Sequence, residues 1–215
     1  YKAMEMSSVL AYNDVAFLLV GESKPDLDYR KTVDAIRPQL QALQAVWFME
    51  EELAEAAETP VSAEEQALLR TLQKETNCQD ASTIMFTSGT TAQPKGVLLS
   101  HYGILNDARS VALGMHWSES DIMALAMPMF HCSGLTCGVM IGMCDQMPTV
   151  ILRYFSPRVV MAAIEKYRCT VFNAVPSMLL IMKDHPDRTK YDLSSFVSGT
   201  MGGSAISAEE FAEVC

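Results

Sequence analysis

The sequence predicts an α/β fold in which parallel β-sheets are flanked by helices. Short apolar runs of strand length alternate with longer segments of helical spacing along most of the chain. The resulting β-α-β-α order is the one that parallel strands with helical crossovers satisfy. The composition, 49% hydrophobic and 20% charged over 215 residues, is that of a folded chain able to bury one sizeable core.

Taken in order, "VAFLLV" (15–20) reads as a buried strand and "AVWFM" (45–49) as a second. "EELAEAAE" and "SAEEQALLRTLQKE" read as helices, the latter with Ser62 as N-cap and Glu65 closing a capping box. Residues 50 to 80 read as a helical insertion or a bridge between sheets. "STIMFTS" (82–88) is a strand, and "VLLS" (97–100) a short extended piece. "HYGILNDARSVALGM" has helical spacing through Ile104, Leu105, Ala108, Val111 and Ala112. "DIMALAMPMF" is a strand stopped near Pro128, and "SGLTCGVMIGMCD" a small-residue helix. "TVILR" is a strand, followed by the helix "SPRVVMAAIEKYR" with Ser156 as N-cap and Pro157 at its first position. "CTVFNAV" is a strand, "PSMLLIMKDH" a helix opened by Pro176, "SSFVSG" a strand, and "SAEEFAEV" a helix capped by Ser207.

Several function classes are excluded early. The net charge is -10, and nine acids against Arg70 and Lys74 crowd residues 50–80, which reads as a solvated helix face. An acidic chain without a basic stripe is a poor nucleic-acid binder. No stretch reaches the ~18 to 20 apolar residues of a membrane span. Six cysteines are scattered without a CxxC pair, as in a reduced cytoplasmic protein. His131, Cys132, Cys137 and Cys144 match no usual zinc spacing, so no metal ligand is assigned. The GxSxG elbow of a hydrolase is absent.

The stretch richest in chemistry is "TSGTTAQPKG" (87–96), with four hydroxyls, two glycines and one lysine in ten residues. Glycines let backbone N–H groups approach phosphate oxygens, hydroxyls donate without bulk, and Lys95 adds a point charge. By composition alone a solvated Ser/Thr/Gly turn is the commoner reading. The spacing fits neither GxxxxGK[ST] nor GxGxxG.

The order of residues in this loop closely resembles the signature of the acyl-adenylate-forming superfamily, roughly [ST]SG[ST]TGxPKG. Nine of ten positions agree, and Ala92 replaces the usual glycine, which restricts it to φ below zero and is expected to reduce loop mobility or affinity. "PMFHCSG" (128–134) resembles the family's P-x-F-H-x-x-G segment. "TVFNAVPSMLLIMKDHP" (170–186) resembles the strand and helix that carry a "VP" at the acyl pocket. "LSSFVSGTMGGSAIS" (193–207) resembles the adenine-side segment.

The resemblance implies a layered αβαβα N-terminal domain, of which this chain would be a central part lacking the C-terminal domain and its catalytic lysine. It implies activation of a carboxylic acid with ATP and Mg2+, then transfer to coenzyme A. Thr87, Ser88, Gly89, Thr90, Thr91, Lys95 and Gly96 would hold the β- and γ-phosphates. Gly202, Gly203, Ser204 and Ala205 would lie beside adenine, a role that competes with a plain strand-to-helix turn. His131 would sit beside the acyl group and the α-phosphate. Read without the family, it is a packed histidine at a strand end. Val175, Pro176 and Met178 are acyl-pocket candidates, with simple core the commoner reading.

Amino-acid-activating members typically carry aspartate where His131 stands, so a fatty or aromatic acid is the favoured substrate. The resemblance implies further family motifs past Cys215, and the isolated chain is expected not to complete adenylation. Self-association of the longer protein is left open. The competing functions are a non-catalytic nucleotide-binding or interaction module, in which Ala92 marks a decayed loop, and an amino-acid-activating domain.

Overall fold

A computed structural model describes residues 3–23, 27–49, 52, 54–87 and 95–214. They fall into two compact units, residues 1–74 and 75–215. In the first, β1 (Phe17–Val20) and β2 (Ala45–Phe48) pair in parallel, with Phe17 opposite Ala45 and Val20 opposite Phe48. The ring of Phe17 stacks on Trp47 at 5.7 Å. Between the strands, α2 (Tyr29–Ile36) buries Val33 and Ile36 and starts at Asp28, whose carboxylate accepts from the Lys31 N–H. Neither α2 nor α1 (Ala3–Tyr12) was anticipated, because their apolar residues do not form a clean stripe in the sequence. After α3 (Ala54–Glu58), α4 (Ala63–Glu75) begins with the expected capping box. Glu65 N–H donates to Ser62 Oγ at 3.2 Å, and Ser62 N–H donates to the Glu65 carboxylate at 2.8 Å.

The second unit opens with a hairpin rather than a parallel crossover. Strand β3 (Ala81–Thr87) pairs antiparallel with β4 (Lys95–Ser100), with Thr87 opposite Lys95. The seven residues between them cannot carry a crossover, which needs a dozen or more, so the chain can only turn back. Ser100 then caps α5 (His101–Gly114) by accepting from the Gly103 N–H.

The rest is the expected parallel α/β arrangement. The sheet runs β6 (Thr149–Ile151), β5 (Met123–Leu125), β7 (Val171–Phe172), all parallel. Beyond β7, bridges Val171–Ser198 and Ala174–Met201 add residues 198–201 as a fourth, irregular edge, where a regular strand was expected over 194–199. Alternation along the strands feeds two cores. Met123 and Val171 face α5 and α7 (Ile141–Cys144), joining Ala108, Ala112 and Ile141. Ala124 and Phe172 face α8 (Pro157–Tyr167) and α9 (Pro176–Lys183), joining Val160, Met161, Ile164 and Met182. Strands covered on both faces explain why "MALA" and "VF" read as unbroken apolar runs. Finally, α10 (Ala208–Val214) starts at Ser207, which accepts from the Glu210 N–H.

Helix α8 ends at Arg168 in the left-handed region (φ 54), from which the side chain reaches Asp192 at 2.7 Å and Ser194 at 3.1 Å. Hydrogen bonds from Ser194 and the Arg168 guanidinium hold the Asp192 carboxyl down to about 2 from 3.8. A depressed carboxyl contributes stability that is present above its unfolded value and lost as pH falls through the folded one. Between pH 3.8 and about 2 the thermal midpoint should therefore fall more in the unsubstituted protein than in Asp192→Asn. Because the pair is exposed, the difference is expected to be small, and identical acid limbs would refute it.

Candidate functional site

Three groups of sequence-nominated residues lie in the second unit. The first is at the hairpin end. Thr87 is the last residue of β3, and Lys95 and Gly96 are the first two of β4, all exposed. Thr87 Oγ1 donates to the Lys95 carbonyl at 3.5 Å. Ser88, Gly89, Thr90 and Thr91 lie outside the described residues. The hairpin brings the two ends of the ten-residue motif side by side.

The second group is built around His131. After β5 the chain turns at Pro128, with His131 N–H donating to the Pro128 carbonyl at 3.1 Å. A helical run then starts as α6 (Cys132–Gly134), widens into a π segment (Leu135–Met140) and ends as α7. Such widened turns recur at functional sites. His131 is the N-cap, extended at φ -119, and its ring accepts from the Ser133 N–H at 3.3 Å through Nδ1. The Ser133 hydroxyl at 3.0 Å and the Cys132 thiol at 3.4 Å lie on the same nitrogen. A backbone N–H can only donate, so Nδ1 presents its lone pair and the neutral ring carries its proton on Nε2. His131 is exposed, and Nε2 makes no hydrogen bond to any described residue. The ring is thus oriented by its own helix start and offers one N–H outward.

The spacing of the P-x-F-H-x-x-G segment has a steric basis here. A Cβ on Gly134 would stand 2.1 Å from the Pro128 carbonyl oxygen. Only glycine lets the helix start lie that close to the turn that carries His131.

The third group is at the C-terminal edge of the parallel sheet, where open α/β sheets bind ligands. Val175 is the N-cap of α9 and Pro176 its first residue. Met178 packs against the core formed with Phe172 and Met161. The Gly202 N–H donates to the Ala174 carbonyl at 3.2 Å. Gly203 has φ +88, and a Cβ there would sit 3.2 Å from Val175 Cγ1, whereas a Cβ on Gly202 would meet nothing within 4 Å. The turn 202–205 thus lies over Val175 with exposed, side-chain-poor backbone, a shape on which a flat ring fits. Among the described residues, no hydrogen bond joins Thr87, Lys95 or Gly96 to either of the other groups.

One residue at this edge was not nominated from the sequence. Asn173, 3% exposed, is one of two buried polar side chains among the described residues. Its amide contacts both the helical run that starts after His131 and the segment that leads into Gly202. The signal was a lone amide inside "TVFNAV", which the apolar reading of that strand passed over. Among the described residues no group of three or more His, Cys, Asp or Glu side chains is placed to hold a metal ion. No described helix is long and apolar enough to cross a membrane.

Comparison with known proteins bears on the family and on the fold. Residues 1–214 match a family described as AMP-binding enzyme. The chain is 39% identical over 66% of its length to the medium-chain acyl-CoA ligase ACSF2 of Danio rerio, of which it covers 24%. It spans less than half the length of the curated relatives it matches. Among solved structures, the N-terminal domain of FACL13 from Mycobacterium tuberculosis superposes with a TM-score of 0.82 at 23% identity, over 99% of this chain and 51% of that one. ATP-bound MatB from Rhodopseudomonas palustris superposes with a TM-score of 0.77 at 20% identity, over 99% of this chain and 40% of that one. These two likenesses carry the fold.

Proposed function

The chain belongs to the AMP-binding enzyme family, and on that premise we propose that it is part of an ATP-dependent acid–CoA ligase that activates a fatty or aromatic carboxylic acid. The observation that carries the proposal is "TSGTTAQPKG", whose end residues Thr87 and Lys95 pair across antiparallel strands, within a chain that resembles acyl-CoA ligases in sequence. In the proposed reaction a carboxylate oxygen attacks the α-phosphorus of ATP and the bond to the β-phosphate oxygen breaks. Pyrophosphate leaves. The thiol of coenzyme A, losing its proton, then attacks the acyl carbonyl and AMP departs.

Each group of residues has a place in this reading. Thr87, Ser88, Gly89, Thr90, Thr91, Lys95 and Gly96 hold the β- and γ-phosphates, where negative charge grows as pyrophosphate separates and fixed donors stabilise it. Gly202, Gly203, Ser204 and Ala205 receive adenine on their exposed backbone. His131 donates through Nε2 to an oxygen of the acyl carboxylate or the α-phosphate. Val175 and Pro176 border the acyl site, and Met178 supports it from the core. Mg2+ would neutralise phosphate charge, and no residue of this chain is assigned to it. The free thiols among the described residues support a reducing compartment such as the cytoplasm for the enzyme.

Pyrophosphate exchange by the full-length protein, with a panel of fatty, aromatic and α-amino acids, tests the proposal. Exchange dependent on a fatty or aromatic acid is expected, falling about a hundredfold in Lys95→Ala. Exchange only with an α-amino acid would overturn the substrate class. No exchange with any acid, in both the unsubstituted protein and Ala92→Gly, would favour a non-catalytic module.

A further inference from the structure

We infer that Asn173 is a positioning residue that fixes the adenine-side segment 200–203 against the helical run that starts after His131. The inference rests on the nucleotide reading above. Asn173 follows β7 directly and is 3% exposed, between Phe172 at 1% and Ala174 at 4%. Its Oδ1 accepts two hydrogen bonds from Thr200, one from the backbone N–H and one from the hydroxyl, both at 2.9 Å. Its Nδ2 donates to the Cys137 carbonyl at 2.8 Å.

The amide therefore spans three segments distant in sequence. Cys137 lies in the π segment of the helical run whose N-cap is His131. Thr200 lies two residues before Gly202. The backbone continues the same junction, with Ala174 N–H donating to the Thr200 carbonyl at 3.0 Å. Both lone pairs of Oδ1 are used, so the network is directional rather than a loose contact.

A core position in a strand is filled at lower cost by an apolar side chain, since burying an amide forfeits its hydration. An amide here supplies what Leu or Val could not, a fixed separation between two backbones. Those backbones carry the residues assigned to the nucleotide and to the reacting carboxylate. Asn173 itself touches neither ligand in this reading. It acts through Thr200 on one side and through Cys137 on the other.

Two substitutions in the full-length protein test this, with AMP as the binding probe and pyrophosphate exchange as the kinetic readout. Asn173→Leu removes all three bonds and keeps the branch at Cγ. Thr200→Val removes only the hydroxyl bond on the adenine side. Loss of buried hydrogen bonds is expected to weaken AMP binding about tenfold in Asn173→Leu and about threefold in Thr200→Val. Only Asn173→Leu is expected to lower kcat, by about tenfold, because only it releases the helical run.

Binding is measured well below the melting temperature of each variant, so lost stability alone would leave it unmoved. AMP affinity and kcat within twofold of the unsubstituted protein in folded Asn173→Leu would overturn the inference. If that variant does not fold, Thr200→Val decides, and an unchanged AMP affinity in it overturns the inference. Failure of the nucleotide reading shows differently, as no AMP binding by the unsubstituted protein.

Discussion

Gly134→Ala is expected to destabilise the second compact unit by about 3 kcal/mol, at the upper end for overpacking a tight contact. The added methyl would stand 2.1 Å from the Pro128 carbonyl oxygen, 2.4 Å from its carbon and 2.8 Å from the Met127 carbonyl oxygen. All three are backbone atoms, so no side-chain rotation relieves the overlap. The turn must move away from the helical run, and His131, whose N–H is bonded to that same Pro128 carbonyl, moves with it. Exchange activity should fall together with stability. Gly114→Ala is the internal control, because nothing stands within 4 Å of its would-be Cβ at the end of α5. It is expected to be neutral or to stabilise by up to about 1 kcal/mol. Urea unfolding of the two variants checks both, and an equally stable Gly134→Ala would show that the close approach does not exist.

His131 separates two roles that one substitution would confuse. In His131→Asn the side-chain oxygen can still accept from the Ser133 N–H and cap the helix, but no N–H reaches the place of Nε2. In His131→Gln the longer amide can put an N–H there. If His131 donates through Nε2, exchange should fall about a hundredfold in His131→Asn at little cost in stability, and less than about tenfold in His131→Gln. Equal losses in both variants would refute donation through Nε2. A loss confined to Gln would place the function in the Nδ1 cap instead.

Much of this molecule was legible before any coordinates. The capping box at Ser62 and the cap at Ser207 follow from local spacing and form as expected, and Glu210 completes a second box at Ser207. Strands 17–20, 45–48 and 123–125 fall inside the apolar runs that nominated them, and 81–87 begins one residue before its run at 82–88. Local rules work there because the deciding contacts are a few residues apart. The antiparallel sense of the β3–β4 pair was not legible from the runs themselves, since alternation marks a strand but carries no information about its partner's sense. The expected strand at 194–199 became bridges at Ser198 and Met201, because the backbone pairing with residues 170–174 runs over 197–202, past the end of the apolar run.

The α/β class, the starts of α4, α8, α9 and α10, and the glycine- and hydroxyl-rich motif with the resemblance built on it were all legible in the chain, because order and spacing are local properties. The tertiary structure decided three further things. It placed Gly134 against Pro128, set Nδ1 of His131 as an acceptor, and joined Asn173 to Cys137 and Thr200 across 36 and 27 residues. Each depends on groups brought into contact by folding. A lone amide in an apolar strand shows its partners only once the sheet has closed around it.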